Sequence, residues 1–210
     1  EGEAPGDAVE LLTSVGMRNP RDGTHAGWLQ RACDLALEMG EVYLFARNAH
    51  VLATLHPKND KLAAYLNRLG EVFEKAGNYV SAEAEYKRVM KITKDDAQRR
   101  RARLALAGLY EKQGRSKDAL EVLSELVSLK IPDAQQNRRP PRKNTEDEKA
   151  VAEDADALLL ATRCYLSLEM TTEALQAYDR AKAQKTFGKQ TVPNYELLMD
   201  LAQAAITTSA

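Results

Sequence analysis

A chain of 210 residues with 30 Lys plus Arg against 31 Asp plus Glu carries a formal net charge of −1, which excludes a uniformly basic nucleic-acid binder. Its 44% apolar and 29% charged residues are those of a folded chain with a core. Two Cys cannot staple a small secreted scaffold, and no run of about 18 apolar residues exists to span a membrane.

Helical periodicity dominates, with no competing alternation of Val, Ile and Thr, so the chain is expected to be all-α. Pro at positions 5, 20, 57, 132, 140, 141 and 193 marks the breaks. The opening EGEAPGDA is acidic where a secretory or mitochondrial leader is basic. A short helix is expected over 7–15, with Asp7 as its N-cap and Gly16 after it. From Leu66, LNRLGEVFEKAGNYVSAEAEYKRVMKI sets Leu66, Leu69, Gly70 and Phe73 against Ala82, Tyr86 and Val89, with Gly77 between the groups. The next stretch repeats the intervals with Leu106, Ala107, Tyr110, Gly114, Ala119, Leu123 and Leu126. Each is two helices joined by a tight turn. Gly70 is expected to face Ala82, and Ala107 to face Ala119, so that paired helices approach closely. Gly77 and Gly114 stand where the first helix must stop. Over 132–144 the chain is polar and Pro-interrupted, and a mobile loop is expected. Thr145 and Glu148 have the capping-box form, so a helix is expected from about Glu146. The stripe Tyr195, Leu198, Met199, Ala202 and Ile206 suits a helix closing the end of an array.

The paired pattern resembles the tetratricopeptide repeat, a helix–turn–helix unit of about 34 residues. On that resemblance units begin at Ala63 and Arg100. A further unit begins at Ala155, carrying Leu158, Ala161, Thr162, Tyr165, Ala174, Tyr178 and Ala181, with Glu169 where the turn Gly is expected. Another begins at Ala26, carrying Leu29, Ala32, Cys33, Ala36, Gly40, Leu52 and Pro57. There Phe45 takes the place of a small residue, so wider or shifted helix packing is expected. The resemblance implies a right-handed α-solenoid. Its divisions are an N-terminal segment over 1–25, three units over 26–133, a charged loop and helix start over 134–154, a fourth unit over 155–188 and a capping helix over 189–210.

In that family the first helix of each unit lines the partner groove. The implied wall is Gln30, Asp34 and Glu38; Asn67, Glu71 and Lys75; Arg101, Leu104 and Lys112; Asp156, Leu159 and Arg163. One subclass clamps a chaperone's C-terminal carboxylate with convergent Lys, Arg and Asn. The matching places hold Gln30, Asp34, Arg68, Arg101 and Ala105, or one unit on Asn67, Glu71, Ala105, Asp156 and Leu160, and neither set supplies those donors.

Enzyme chemistry finds no foothold: HExxH, GxSxG, paired CxxC and GxxxxGK[ST] are absent, and FGKQT at 187–191 lacks the upstream Gly of a phosphate loop. His50 and His56 are six apart, on different sides of a helix, and His25 lies elsewhere. Cys33 and Cys164 fall where a small apolar residue is wanted and are expected to be core thiols. Tyr86, Tyr110, Tyr165 and Tyr178 coincide with the packing pattern and are expected in the core. Trp28 is open between core, cap contact and exposed anchor. No catalytic residue, metal, cofactor or small-molecule substrate is expected.

Charge is patterned. Lys87–Arg103 holds eight basic and two acidic residues, among them Arg99, Arg100, Arg101 and Arg103; Arg138, Arg139, Arg142 and Lys143 add four more, while 146–156 is acidic. Either these are a solvated turn and a self-neutralising loop, or they dock an acidic segment or RNA phosphate. No stacking aromatics interleave them, which favours protein. The expected function is a non-catalytic interaction scaffold, a subunit or adaptor that binds a peptide or helix of a protein partner in its groove. The alternatives are an RNA- or DNA-associated subunit using the basic cluster and an enzyme with an unrecognised site. An intracellular, cytoplasmic setting is expected, with nucleus and organelle open.

Overall fold

A computed structural model describes residues 5–18, 23–132 and 154–184. Among the described residues the secondary structure is nine α-helices and no strand: α1 Pro5–Arg18, α2 Gly23–Glu38, α3 Val42–Leu55, α4 Leu62–Lys75, α5 Tyr79–Ile92, α6 Asp96–Lys112, α7 Ser116–Leu123, α8 Ala155–Ser167 and α9 Thr171–Lys182. They fall into two compact units, Glu1–Ala102 and Arg103–Ala210. None of these helices is long and apolar enough to cross a membrane. The expected mobile loop beyond Pro132, the helix start near Glu146, the tail of the fourth unit over 185–188 and the C-terminal capping helix lie outside the described residues.

The turns inside the helical pairs share one construction. Gly40, Gly77 and Gly114 sit at φ 73°, 76° and 72°. At each, the left-handed residue donates to the carbonyl three back and its successor to the carbonyl five back. Gly77 N–H reaches Glu74 O at 3.0 Å and Asn78 N–H reaches Phe73 O at 2.8 Å. That is the Schellman closure, which satisfies carbonyls a helix end otherwise leaves orphaned. Asn78 then caps α5, its side chain accepting from Ser81 N–H at 3.2 Å.

Glu169 closes the α8–α9 turn in the same way, at φ 60°, with Glu169 N–H on Leu166 O at 3.0 Å and Met170 N–H on Tyr165 O at 2.9 Å. The turn therefore forms without glycine, and the side chain bears the left-handed strain instead. Glu169→Gly is expected to stabilise the chain by about 1 kcal/mol, read as a higher midpoint in urea unfolding. A lower midpoint would mean that the Glu169 side chain contributes more than its backbone costs.

The repeat length differs from 34. The second helix of each pair starts at residues 42, 79 and 116, and α1 starts at residue 5, a constant step of 37. Helix α1 thus stands in the register of a second helix. It is longer than the expected 7–15, Asp7 lies in its first turn, and Gly16 lies inside it rather than after it. A Cβ on Gly16 would meet Leu29 Cγ at 2.6 Å, so this glycine is the point of close approach between α1 and α2.

Second helices are tied to one another by polar pairs one step along the array. The Thr13 hydroxyl lies 2.7 Å from buried Asn48 Oδ1, Arg47 donates to Glu10 at 2.7 Å, and His50 Nε2 lies 2.8 Å from Glu85 Oε1. Between the helices of a pair the fill is apolar. Leu29, Phe45, Leu52, Leu66, Leu69 and Val89 are fully enclosed in the core of the first unit. Gly70 is covered by the ring of Tyr86, not by Ala82, which is itself buried.

In the second unit Leu106, Ala107, Tyr110, Ala119, Leu123, Leu158, Tyr165 and Tyr178 are buried. Arg115 spans the pair turn, its guanidinium 4.1 Å from the centre of the Tyr110 ring. Asp154 caps α8 by accepting from Ala157 N–H at 3.2 Å. Tyr165 O–H donates to Lys130 O at 2.7 Å and Arg180 donates to Ser128 O at 2.8 Å, which fastens α8 and α9 to the segment after α7.

Candidate functional site

The first helices carry the wall residues expected to meet a partner. In the first unit these are joined into a ladder. Tyr65 O–H donates to Asp34 Oδ1 at 2.7 Å and lies 3.3 Å from Gln30 O. Asn67 Nδ2 donates to Gln98 Oε1 at 2.9 Å. Arg101 donates to Glu71, which also accepts from Arg68 at 2.9 Å. The Asp34–Tyr65 and Asn67–Gln98 ties each span 31 residues and Glu71–Arg101 spans 30. Each therefore runs from one first helix to the start of the next.

The electrostatics follow from that ladder. Partial burial pushes the Glu71 carboxyl up, but hydrogen bonds from Arg101 and Arg68, with their charges, outweigh it and hold it below the ordinary carboxylate value. The Tyr65 phenol is pushed up by burial and by donating to Asp34. Cys33 and Cys164 are buried free thiols, each raised to about 12, chiefly by desolvation. At neutral pH they are protonated and poorly nucleophilic.

The wall residues separate by access. Arg101, Lys75 and Lys112 are exposed, and Gln30, Asp34, Glu71, Leu104 and Arg163 are half-buried. Asn67 is 1% exposed and Leu159 0%, so neither offers a side chain to a partner. Glu38 is exposed and lies 3.7 Å from Arg31; Asp156 is half-buried. In the second unit Arg163 Nε lies 3.5 Å from Glu111 Oε1. Sequence reasoning misses Tyr65 and Gln98 as wall members; their only signal is the 31-residue interval to Asp34 and Asn67.

The basic stretch is heavily committed. Arg99 donates to Asp96 at 2.8 Å and to Thr93 O at 2.6 Å, Arg101 to Glu71, and Arg103 to Glu125. Lys87 donates to Glu83 within its own helix at 2.5 Å. Arg100 is exposed. Arg138, Arg139, Arg142 and Lys143 lie outside the described residues.

Residues 60–130 match the family model described as the tetratricopeptide repeat. Over that stretch, about a third of the chain, the sequence has the tetratricopeptide-repeat pattern. No curated protein matches it. Among solved structures it is similar to the P58(IPK) TPR domain, with 16% identity and a TM-score of 0.48 over 98% of this chain. The chain covers 52% of that domain, so it spans about half its length. A thermophilic TPR protein of Thermus thermophilus matches at 17% identity and a TM-score of 0.47, covering 96% of this chain and 91% of that one. A tetratricopeptide repeat protein from Parabacteroides merdae matches at 14% identity and a TM-score of 0.31, covering 94% and 84%. Tetratricopeptide repeats in general mediate protein–protein interactions, and proteins built on them are typically non-enzymatic scaffolds.

Proposed function

We propose that the chain is a non-catalytic scaffold that binds a peptide or helix of a partner protein on the first-helix face of its first unit. The observation that carries this reading is the Arg68–Glu71–Arg101 cluster. A half-buried carboxylate holds two guanidinium groups from successive first helices, both on exposed side chains. Pre-positioned charges of this kind reduce the ordering cost of binding and select a partner by electrostatic complementarity. Exposed Lys75, on the same helix as Arg68 and Glu71, adds positive charge. Acidic side chains with apolar anchors suit the surface. Protein is favoured over nucleic acid because no stacking aromatics interleave the basic residues of 87–103.

Arg101→Glu tests the reading. Arg101 is exposed and Arg68 remains paired with Glu71, so the new carboxylate beside Glu71 should lower stability by only about 1 kcal/mol and the chain should stay folded. Tagged wild-type and variant chains would be compared in one extract by quantitative mass spectrometry. At least one partner should fall by about fivefold or more, the equivalent of roughly 1 kcal/mol of binding. Equal recovery of every partner would remove the site from this face.

A further inference from the structure

Two pair turns of the first unit carry a surface that neither the core nor the first-helix face uses. Helices α3 and α5 open on Val42–Tyr43 and Tyr79–Val80, which are counterparts at the 37-residue step. All four are exposed, at 44%, 75%, 38% and 81%. The same places in α7 hold buried Ser116 and exposed Lys117, and α9 opens on Thr171–Thr172. The position therefore does not demand an apolar side chain. The two turns are neighbours, because Asp34–Tyr65 ties α2 to α4 and His50–Glu85 ties α3 to α5. Apolar side chains left in water at both make a patch of the kind that marks an interaction surface. Charge differs between the turns. The first carries Glu38 and Glu41 where the second carries Lys75 and Asn78. Asn78 spends its side chain on capping α5, whereas Glu41 makes no cap hydrogen bond. Glu41 and Lys75 are exposed, and among the described residues neither has an ion-pair partner. Of the remaining charges there, Glu38 lies 3.7 Å from Arg31 and Glu74 accepts from Tyr86.

We infer that this edge pairs two copies of the chain about a two-fold axis that sets the first turn of each copy on the second turn of the other. In that register Val42–Tyr43 meets Tyr79–Val80 twice, and Glu41 faces Lys75 twice. The edge is its own complement: acidic at one turn, basic at the next and apolar at both, which is what an isologous contact requires. Setting like turn on like turn would oppose Glu41 to Glu41 and Lys75 to Lys75, so charge fixes the register. Four side chains and two charges from each copy fall short of the roughly 800 Å² per partner of a stable interface, so the pairing is weak and concentration-dependent.

Analytical ultracentrifugation of the full chain tests this. The mass should rise from the 23.3 kDa of one chain toward twice that, with half-association at about 10–500 μM. Tyr43→Ser combined with Val80→Ser should weaken association by about tenfold or more. Leu11→Ser, at an exposed apolar position away from the edge, should leave it unchanged. Glu41→Lys opposes two Lys across each contact, and Lys75→Glu opposes two Glu, so each variant alone should associate about fivefold more weakly or worse. An equimolar mixture of these two variants should associate as the wild-type chain does, because both contacts of the mixed pair are again of opposite sign. All these positions are exposed, so the variants should keep the wild-type urea midpoint to within about 0.5 kcal/mol. A mass that stays at one chain up to about 500 μM would overturn the inference and leave the edge to a different protein. A mixture that associates no better than its two components, or an equal loss in Leu11→Ser, would overturn it as well.

Discussion

Phe45→Ala is expected to destabilise the first unit by about 3–5 kcal/mol, the usual cost of emptying a buried Phe site. Phe45 is fully enclosed and meets the Tyr65 ring edge-on, with centroids 6.2 Å apart and planes at 72°. Three core residues of α2 are small. Ala32, Cys33 and Ala36 occupy the places in α2 that Leu69, Gly70 and Phe73 occupy in α4, so the bulk missing from the first helix is supplied by Phe45 in the second. Removing it leaves a cavity that Ala32, Cys33 and Ala36 are too short to fill, and the loss is a large share of the stability of an ordinary domain, about 5–15 kcal/mol. It also unseats Tyr65, whose O–H holds Asp34 on the first-helix face. Urea unfolding of the full chain followed by Trp28 fluorescence, which lies in this unit, would read the change. A loss below about 1 kcal/mol would mean that the ring is not enclosed. Phe45→Leu should retain most of the stability, because it keeps most of the apolar volume.

The exchange of large and small side chains shows how much of the fold was legible in the sequence. Tyr86, Tyr110, Tyr165 and Tyr178 read as core from their spacing, and all four are buried. The turns were legible from Gly40, Gly77 and Gly114, because few other residues tolerate a positive φ. The turn at Glu169 was placed by the register of its unit alone, without the glycine, and there the hydrogen-bonded closure prevails over the residue's own preference. The role of α1 was hidden: Ala8, Leu12 and Val15 form a weak stripe, and only comparison with α3 and α5 at a step of 37 reveals it. Wall residues were legible as a helix face but not in their access. Asn67 is buried because Gln98, thirty-one residues on, offers it an acceptor, and single-helix periodicity carries no information about that neighbour. The basic run was visible as charge, and Arg99–Asp96 is an i,i+3 pair within α6, whereas the pairing of Arg101 with Glu71 and of Arg103 with Glu125 depends on which segments meet.

Gly70→Ala should cost about 1–3 kcal/mol although alanine is the better helix former. A Cβ at this position would lie 2.5–2.9 Å from three atoms of the Tyr86 ring, well inside contact distance. The ring cannot simply swing away. Tyr86 is 1% exposed, and its O–H donates to Glu74 at 3.0 Å on the same helix as Gly70. Relief therefore requires α4 and α5 to separate or Tyr86 to give up that bond, and Gly70→Leu should cost more still. Gly108 supplies the contrast. It also lies within a helix, but a Cβ there meets nothing within 4 Å, so Gly108→Ala should stabilise by about 0.5–1 kcal/mol. The opposite signs of the two substitutions isolate close approach from helix propensity, since propensity alone would make both favourable. A double-mutant cycle with Tyr86→Leu should recover part of the Gly70→Ala loss, because the smaller side chain vacates the space the methyl needs. If Gly70→Ala and Gly108→Ala shift the urea midpoint in the same direction, the ring of Tyr86 does not cover Gly70, and the pairing of α4 with α5 has a different register.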